Sequence, residues 1–289
     1  MSKTLVTVGV PVYNGADYLK IAMDALLAQT HKNLEILIAD NDSTDDSLTI
    51  AEQYAAADAR VTVLRATENR GAAWNYNRVV EVANGTYFKW AAHDDICLPT
   101  YIERCADALD NDDATVLAYP KTIIIDGSGD ARKDYEDGLN LDGTSSIRRG
   151  AALLWRVGLC NAVFGVMRTT DLRGTGMIQS FDSSDISLLA ELALRGKFHE
   201  VDERLFLRRR HEAASRSANT STEEVAAWFG PDAKSGRSVS LNKAYQAAVW
   251  RWDANIGRRI AAAAMFAAVG PLVELRWHRR MRRRRQSID

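Results

Sequence analysis

A chain of 289 residues with 46% hydrophobic and 26% charged residues has an ordinary soluble composition, enough for one large domain or one domain plus an extension. The net charge is −1, but residues 276–289 hold seven Arg and one Asp. That leaves 30 basic and 37 acidic residues, net −7, in the rest; an acidic body argues against a nucleic-acid partner and suggests that the arginine tail meets some other anionic surface. Cys97, Cys105 and Cys160 show neither CxxC nor zinc spacing, so a reducing compartment is expected, and no apolar signal segment precedes the first strand.

In chain order, residues 5–12 are rich in β-branched side chains and predict a buried strand, closed by Pro11 and Tyr13-Asn14-Gly15. Leu19, Met23, Leu26 and Leu27 give residues 18–28 a helical spacing. A second strand over 34–39 ends at Asp40-Asn41-Asp42-Ser43-Thr44-Asp45-Asp46, where Ser43 or Thr44 is expected to cap a helix running to about Ala57. Residues 61–65 form a third strand, followed by Glu68-Asn69-Arg70-Gly71 and a helix over 73–82. A fourth strand over 86–91 runs into His93-Asp94-Asp95.

This β-α-β-α-β-α-β order predicts a parallel sheet with helices on both faces. Asp40 and Asp42, then Glu68, then Asp94 and Asp95 follow successive strands, and loops after parallel strands converge on one rim. Adjacent carboxylates repel, so the rim suits a cation and hydroxyl-rich groups; a hard divalent ion shared with substrate phosphates is the economical solution. Neither GxGxxG nor GxxxxGK[ST] is present, which argues against a dinucleotide site or a phosphate loop.

Further on, residues 123–125 predict a strand, Asp126-Gly127-Ser128-Gly129 a turn, and 132–143 a polar surface loop. Residues 160–168 read as a strand with Gly165 inside it, a position that often admits a ligand close to the backbone. Asp182 and Asp185 precede an apolar helix over 186–194, a strand covers 204–207, and Arg208-Arg209-Arg210-His211 follows. Residues 260–273 are an apolar run of 14, mostly Ala, flanked by arginines; at ~1.5 Å per residue it reaches ~21 Å, short of a ~30 Å hydrocarbon core. A helix lying at a membrane interface, or an Ala-rich helix packed on the main domain with a solvated tail, both fit it.

Four motifs in order resemble those of glycosyltransferase family 2: Val10-Pro11-Val12-Tyr13-Asn14-Gly15, the segment from Ala39 to Ser47, Asn69-Arg70-Gly71 followed by Asn75 and Asn77, and Asp94-Asp95. The resemblance implies a GT-A fold: an α/β chain with a mostly parallel central sheet flanked by helices, here over residues 1–215, with a helical C-terminal extension and basic tail over 216–289. It implies an inverting, metal-dependent transfer of sugar from a nucleotide-diphosphate sugar to a glycan or lipid-linked acceptor, in cell-surface polysaccharide or glycolipid synthesis. The protein is then expected in the cytoplasm or at the inner face of the membrane.

By position, Pro11, Tyr13, Asn14, Asp42, Asn69 and Asn75 belong to the nucleotide-sugar site. Asp40 accepts a hydrogen bond from the base, Arg70 meets the base or diphosphate, Asp94 meets the ribose, and Asp95 holds the Mn²⁺ or Mg²⁺ ion. Ala92 stands where many members carry a further acid, so the metal rests on the pair. Asp185 matches the catalytic base, with Asp182 the next candidate and a helix-capping role the alternative for either. Arg209, His211 and Ser215 resemble the Arg-x-His-x-x-x-Ser loop that closes over the diphosphate, and His211 completes the metal shell. A sugar nucleotidyltransferase and a non-catalytic nucleotide-sugar-binding domain are the competing readings; the first wants a Gly-rich basic phosphate loop near the first strand, where Tyr13-Asn14-Gly15 stands.

Overall fold

The structure is a computed structural model, and it describes residues 3–181, 183–211 and 241–285, with side chains to residue 273. The expected alternation is present. β1 (Val6–Val12), α1 (Ala16–Leu27), β2 (Leu34–Asp40), α2 (Ser47–Ala57), β3 (Val61–Arg65), α3 (Ala72–Glu81) and β4 (Tyr87–Trp90) follow one another. β1 is buried at all seven positions, as a strand covered on both faces should be. These four strands pair in parallel in the order β3-β2-β1-β4.

The remaining elements extend the sheet and change its direction. They are β5 (Ile96–Cys97), α4 (Tyr101–Asn111), β6 (Thr115–Ile125), β7 (Ala131–Tyr135), α5 (Ser146–Arg156), a 3-10 turn (Asn161–Phe164), β8 (Val166–Arg168), α6 (Thr169–Arg173), α7 (Ser184–Arg195) and β9 (Lys197–Arg209). β8 pairs antiparallel to both β4 and β6, and β6 runs parallel to β9, so the order continues β4-β8-β6-β9-β5, with β7 on the side of β6. One core lies between the sheet and α1, α2 and α4 (Leu19, Met23, Ile50, Ile102, Leu109). The other lies beneath α3, α5 and α7 (Val79, Leu153, Leu188, Leu192). α8 (Leu241–Arg251) and α9 (Ile256–Arg285) join this second core through Tyr245, Val249, Ala262 and Phe266.

Three expectations need correction. Residues 132–143 are not a surface loop: β7 is a charged, exposed edge strand on β6, and Leu139 and Leu141 are buried, Leu141 bridging Phe198. Charge on an edge strand is a device against pairing with other chains, so polar composition there does not exclude a strand. Residues 160–168 are not one strand: Cys160 is left-handed (φ 62°), a 3-10 turn follows, and only the last three residues pair. A Cβ at Gly165 would sit 2.6 Å from the Ala118 carbonyl oxygen, so this glycine admits β6, not a ligand. Ser43 and Thr44 do not cap α2, whose N-cap is Asp46 without a side-chain bond; both serve the neighbouring loop instead.

Candidate active site

The loops after β1 and β2 are clasped together. Asn14 Oδ1 accepts from the Thr44 N–H (2.8 Å), the Asn14 N–H donates to Ser43 Oγ (3.0 Å), and the Gly15 N–H donates to Ser47 Oγ (2.8 Å). Asp45 accepts from the N–H groups of Ala16 and Ser47; burial alone would raise its carboxyl, but these bonds outweigh it and hold Asp45 below the ordinary value. Asn14 and Asp42 take left-handed backbone (φ 50° and 63°), as does Ser183 (φ 67°) just ahead of Asp185. Such non-glycine conformations cost energy and collect at functional loops. Asn14 therefore shapes this rim through its own hydrogen bonds, while Tyr13 and Asp42 are exposed and Pro11 is buried in β1.

Asp40 ends β2 at 2% exposure. Its Oδ2 accepts from the Ser43 N–H (3.2 Å), while Oδ1 is buried without a partner among the described residues. A buried acceptor left open is costly unless a ligand donor supplies the missing bond. Around it, Asn75 donates to the carbonyls of Val12 and Ala39, Arg78 donates to the carbonyls of Asp40 and Leu64, and Arg78 Nε is bound by Asn75 Oδ1. Asn41 ties this end to the next loop, donating to Asn69 Oδ1 and accepting from the Arg70 N–H. The guanidiniums of Arg70 and Arg78 each lie 4.4 Å from the Trp74 ring centroid. Asn69 and Asn75 thus build the loops, and Arg70 is the exposed cation among them.

After β4, Asp95 is 6% exposed. Burial, then the adjacent Asp94 charge, push its carboxyl up to about 7, against the pull of Arg208. Its Oδ1 accepts from the Arg209 N–H (2.8 Å), and Asp94 Oδ2 lies 3.0 Å from His211 Nε2. Arg209 itself is pinned, donating to the carbonyls of Asp94, Asp126 and Gly127 and stacking 4.6 Å from the Tyr18 ring. β9 therefore delivers the basic loop directly onto the acidic pair. His93 packs against Gly15, where a Cβ would meet its ring at 2.4 Å, and burial holds its imidazole below the ordinary value.

Asp185 lies in the first turn of α7. It belongs to the same electrostatic neighbourhood as the pair. Burial, then the charges of Asp94 and Asp95, raise the Tyr76 phenol well above its ordinary value; Arg208 opposes them and Asp185 adds to them. Asp182, the alternative base, and Ser215 lie outside the described residues. Trp74, Tyr76 and Arg78 were not predicted individually; the spacing of Arg70, Trp74 and Arg78, four residues apart, was the available sign.

The pair's fit to a divalent ion can be judged on its oxygens. Each carboxylate uses one oxygen on a neighbour, His211 or the Arg209 N–H, and the other has no hydrogen-bond partner among the described residues. Two crowded carboxylates, one pushed toward protonation, are what a hard cation would relieve. Among the described residues no three His, Cys, Asp or Glu side chains form a ready cage, so an ion would complete its shell with phosphate and water.

The sheet order and the carboxylates at the ends of β2 and β4 define a GT-A fold. The family model "Glycosyl transferase family 2" matches residues 7–170, and the chain belongs to that family. Among curated relatives, the glycosyltransferase GlyG of Streptococcus pneumoniae is 36% identical over 113 residues, covering 39% of this chain and 38% of its own length. A putative teichuronic acid biosynthesis glycosyltransferase of Bacillus subtilis, TuaG, is 39% identical over 93 residues, covering 32% and 37%. An uncharacterized glycosyltransferase of Rickettsia conorii is 36% identical over 129 residues, 44% of this chain and 21% of its own. The chain thus spans well under half the length of these relatives. Among solved structures, S. aureus TarS 1-349 in complex with UDP-GlcNAc superposes with a TM-score of 0.64 at 16% identity, covering 91% of this chain and 71% of TarS. A mannosyltransferase from Pyrobaculum calidifontis, in complex with GDP-Man and Mn²⁺, gives 0.56 at 16% identity, covering 92% and 76%.

Proposed function

We propose that this protein transfers a sugar, with inversion, from a nucleoside-diphosphate sugar to an acceptor hydroxyl in cell-surface glycan synthesis. The observation that carries the reading is the acidic pair at the end of β4, one carboxyl pushed up to about 7, with the basic end of β9 bound to it. The open Oδ1 of Asp40 supports it, since a nucleobase N–H supplies the missing donor. So do the names of the relatives: TarS holds UDP-GlcNAc, the Pyrobaculum enzyme holds GDP-Man and Mn²⁺, and TuaG is assigned to teichuronic acid.

In this reading Asp40 takes the base, Arg70 faces the base or diphosphate, and Asp94 faces the ribose. Pro11, Tyr13, Asn14, Asp42, Asn69 and Asn75 form and shape the nucleotide pocket. Asp94, Asp95 and His211 would hold Mn²⁺ or Mg²⁺, His211 exchanging its contact with Asp94 for the ion. A bound ion neutralises charge growing on the departing diphosphate, where it favours the transition state over the ground state. Asp185 takes the proton of the acceptor hydroxyl as that oxygen bonds to the anomeric carbon. The bond from that carbon to the diphosphate oxygen breaks on the opposite side, and its electron pair leaves with the nucleoside diphosphate. Arg208 and Arg209, facing the pair from β9, offset the charge left there. Residues 1–215 are the catalytic unit in this reading and 216–289 a C-terminal extension; the enzyme works from the cytoplasmic side on a glycan or lipid-linked acceptor.

The test is a thermal-shift screen of nucleoside diphosphates with and without Mn²⁺ or Mg²⁺. One base should stabilise the protein, and only with metal; at a hundredfold excess over Kd the gain is about 2.7 kcal/mol. A protein that no nucleoside diphosphate stabilises, with either ion, would refute the reading.

A further inference from the structure

α9 has two unlike faces. Ala262, Phe266 and Gly270 are buried, with Met265, Val269 and Val273 half-buried beside them. This face stacks Phe266 on Tyr245 of α8 (5.1 Å between ring centroids) and lays Met265 and Phe266 against Gly150 of α5. The opposite face carries Ile256, Gly257, Ile260, Ala261, Ala264, Ala267, Ala268, Pro271 and Leu272, every one of them exposed. At 3.6 residues per turn these positions fill a continuous stripe of about 160°, nearly half the helix. A helix packed on a soluble domain ordinarily turns polar residues to water; this stripe has none. Ile256, Ile260 and Leu272 are 61%, 58% and 58% exposed.

The same helix continues to Arg285, and its last turns carry seven Arg and Trp277 in the sequence, on a chain whose other residues sum to net −7. An apolar face followed by concentrated positive charge and a tryptophan matches an anionic lipid surface. By length and composition alone, the 18 residues Ile256–Val273 (mean hydropathy 1.4), with Arg258 and Arg259 among them, could also cross a bilayer. Crossing would strip Ala262 and Phe266 from the core they share with α5, α7 and α8, so the helix lies on the surface instead.

The direction of α9 adds a consequence. Arg258 donates to Ser146 Oγ at the start of α5 (2.8 Å), and Met265 and Phe266 abut Gly150 further along, so α9 and α5 run parallel. Arg149 of α5 donates to the Ala193 carbonyl near the end of α7 (2.9 Å), so α5 and α7 run antiparallel. The basic end of α9 therefore lies toward the end of the helical layer where α7 begins, with Asp185 in its first turn.

We infer that the exposed apolar stripe of α9 docks the protein on an anionic bilayer, with its arginine-rich end at the headgroups and the Asp185 end of α7 turned toward lipid-borne acceptors. Only the identity of the acceptor rests on the glycosyl-transfer reading. The full chain should sediment with phosphatidylcholine vesicles containing about one third phosphatidylglycerol at low salt, and be released as salt rises. Neutral phosphatidylcholine vesicles should hold it weakly. Ile260→Glu with Leu272→Glu, both on the exposed face, should lower the partition at least about tenfold while circular dichroism and nucleotide-induced stabilisation stay unchanged. Arg282, Arg283, Arg284 and Arg285 changed to Gln should cost about fivefold each at low salt. Vesicle binding indifferent to the double Glu variant would overturn the inference. So would a vesicle-free dimer, seen by light scattering, that the same variant dissociates without any lipid binding in the parent. Because sedimentation needs no turnover, an inactive protein that still binds vesicles leaves this inference standing, and a nucleotide-stabilised protein that ignores vesicles removes it alone.

Discussion

Asp137 offers a quantitative test of how this structure handles buried charge. It is 6% exposed, and neither carboxylate oxygen has a hydrogen-bond partner among the described residues. The N–H groups of Asn161 and Ala162 lie near without completing a bond, and Arg208 is the nearby cation; burial outweighs them and pushes the carboxyl up to about 7. The unfolded chain has an ordinary Asp near 3.9, so a rise of about three units corresponds to roughly 4 kcal/mol. The folded protein binds the extra proton between about pH 4 and pH 7, so folding stability falls as pH rises through that window and stays reduced above it. Asn at this position cannot ionise. Asp137→Asn should therefore be about 2–4 kcal/mol more stable than the parent at pH 8, and close to it at pH 4. Asp95, also raised to about 7, contributes the same slope to both proteins, so their difference isolates Asp137. Urea unfolding at the two pH values, in chelator, provides the measurement. A variant no more stable than the parent at pH 8 would show that the carboxylate is satisfied when ionised, and the reasoning would fail.

Three further outcomes follow from the site. Asp185→Asn should lower kcat by about a hundred- to ten-thousandfold while donor affinity stays nearly intact; lost donor binding with normal turnover at saturation would remove Asp185 as the base. Asp95→Asn should keep the fold, shed the carboxyl that burial pushes up, and lose the metal-dependent part of nucleoside-diphosphate stabilisation; full activity in excess chelator would discard the metal role. Asp40→Asn should weaken nucleoside-diphosphate binding by about 10- to 150-fold, the value of a charged hydrogen bond; calorimetry giving an unchanged Kd would mean that Oδ1 meets no base.

The nucleotide half of the fold was readable because each of its signals is local. The β-branched run of β1, the apolar repeat of α1 and the polar clusters after β2 and β4 are each set within a dozen residues. The second half depends on distant partners. The start of β6 is obscured by Pro120, and the β6–β9 register shifts beside that residue, which is how a proline is tolerated inside the sheet. α4 carries Ile102, Cys105, Ala106 and Leu109 at helical spacing, a local signal the sequence reading passed over, whereas β7 is charged because it is an edge. At the site, the acids were legible as acids. That Asn69 and Asn75 spend their side chains on loops was not, because neither Asn69 accepting from the Asn41 amide nor Asn75 donating to the Ala39 carbonyl, each across about thirty residues, leaves a mark in the sequence.

The seam made by β8 has a cost during synthesis. Among the described residues, only Val166–Arg168 join the parallel strands to the rest of the sheet, through Tyr87 and Phe88 on one side and Leu117 and Ala118 on the other. β4 is complete at Trp90, and its neighbour across the seam emerges about 75 residues later. At roughly 5–20 residues per second, the nascent chain carries a bare strand edge for about 4–15 s. For that interval the segment Tyr87–Trp90, apolar but for Lys89, can pair with any other chain that offers an edge.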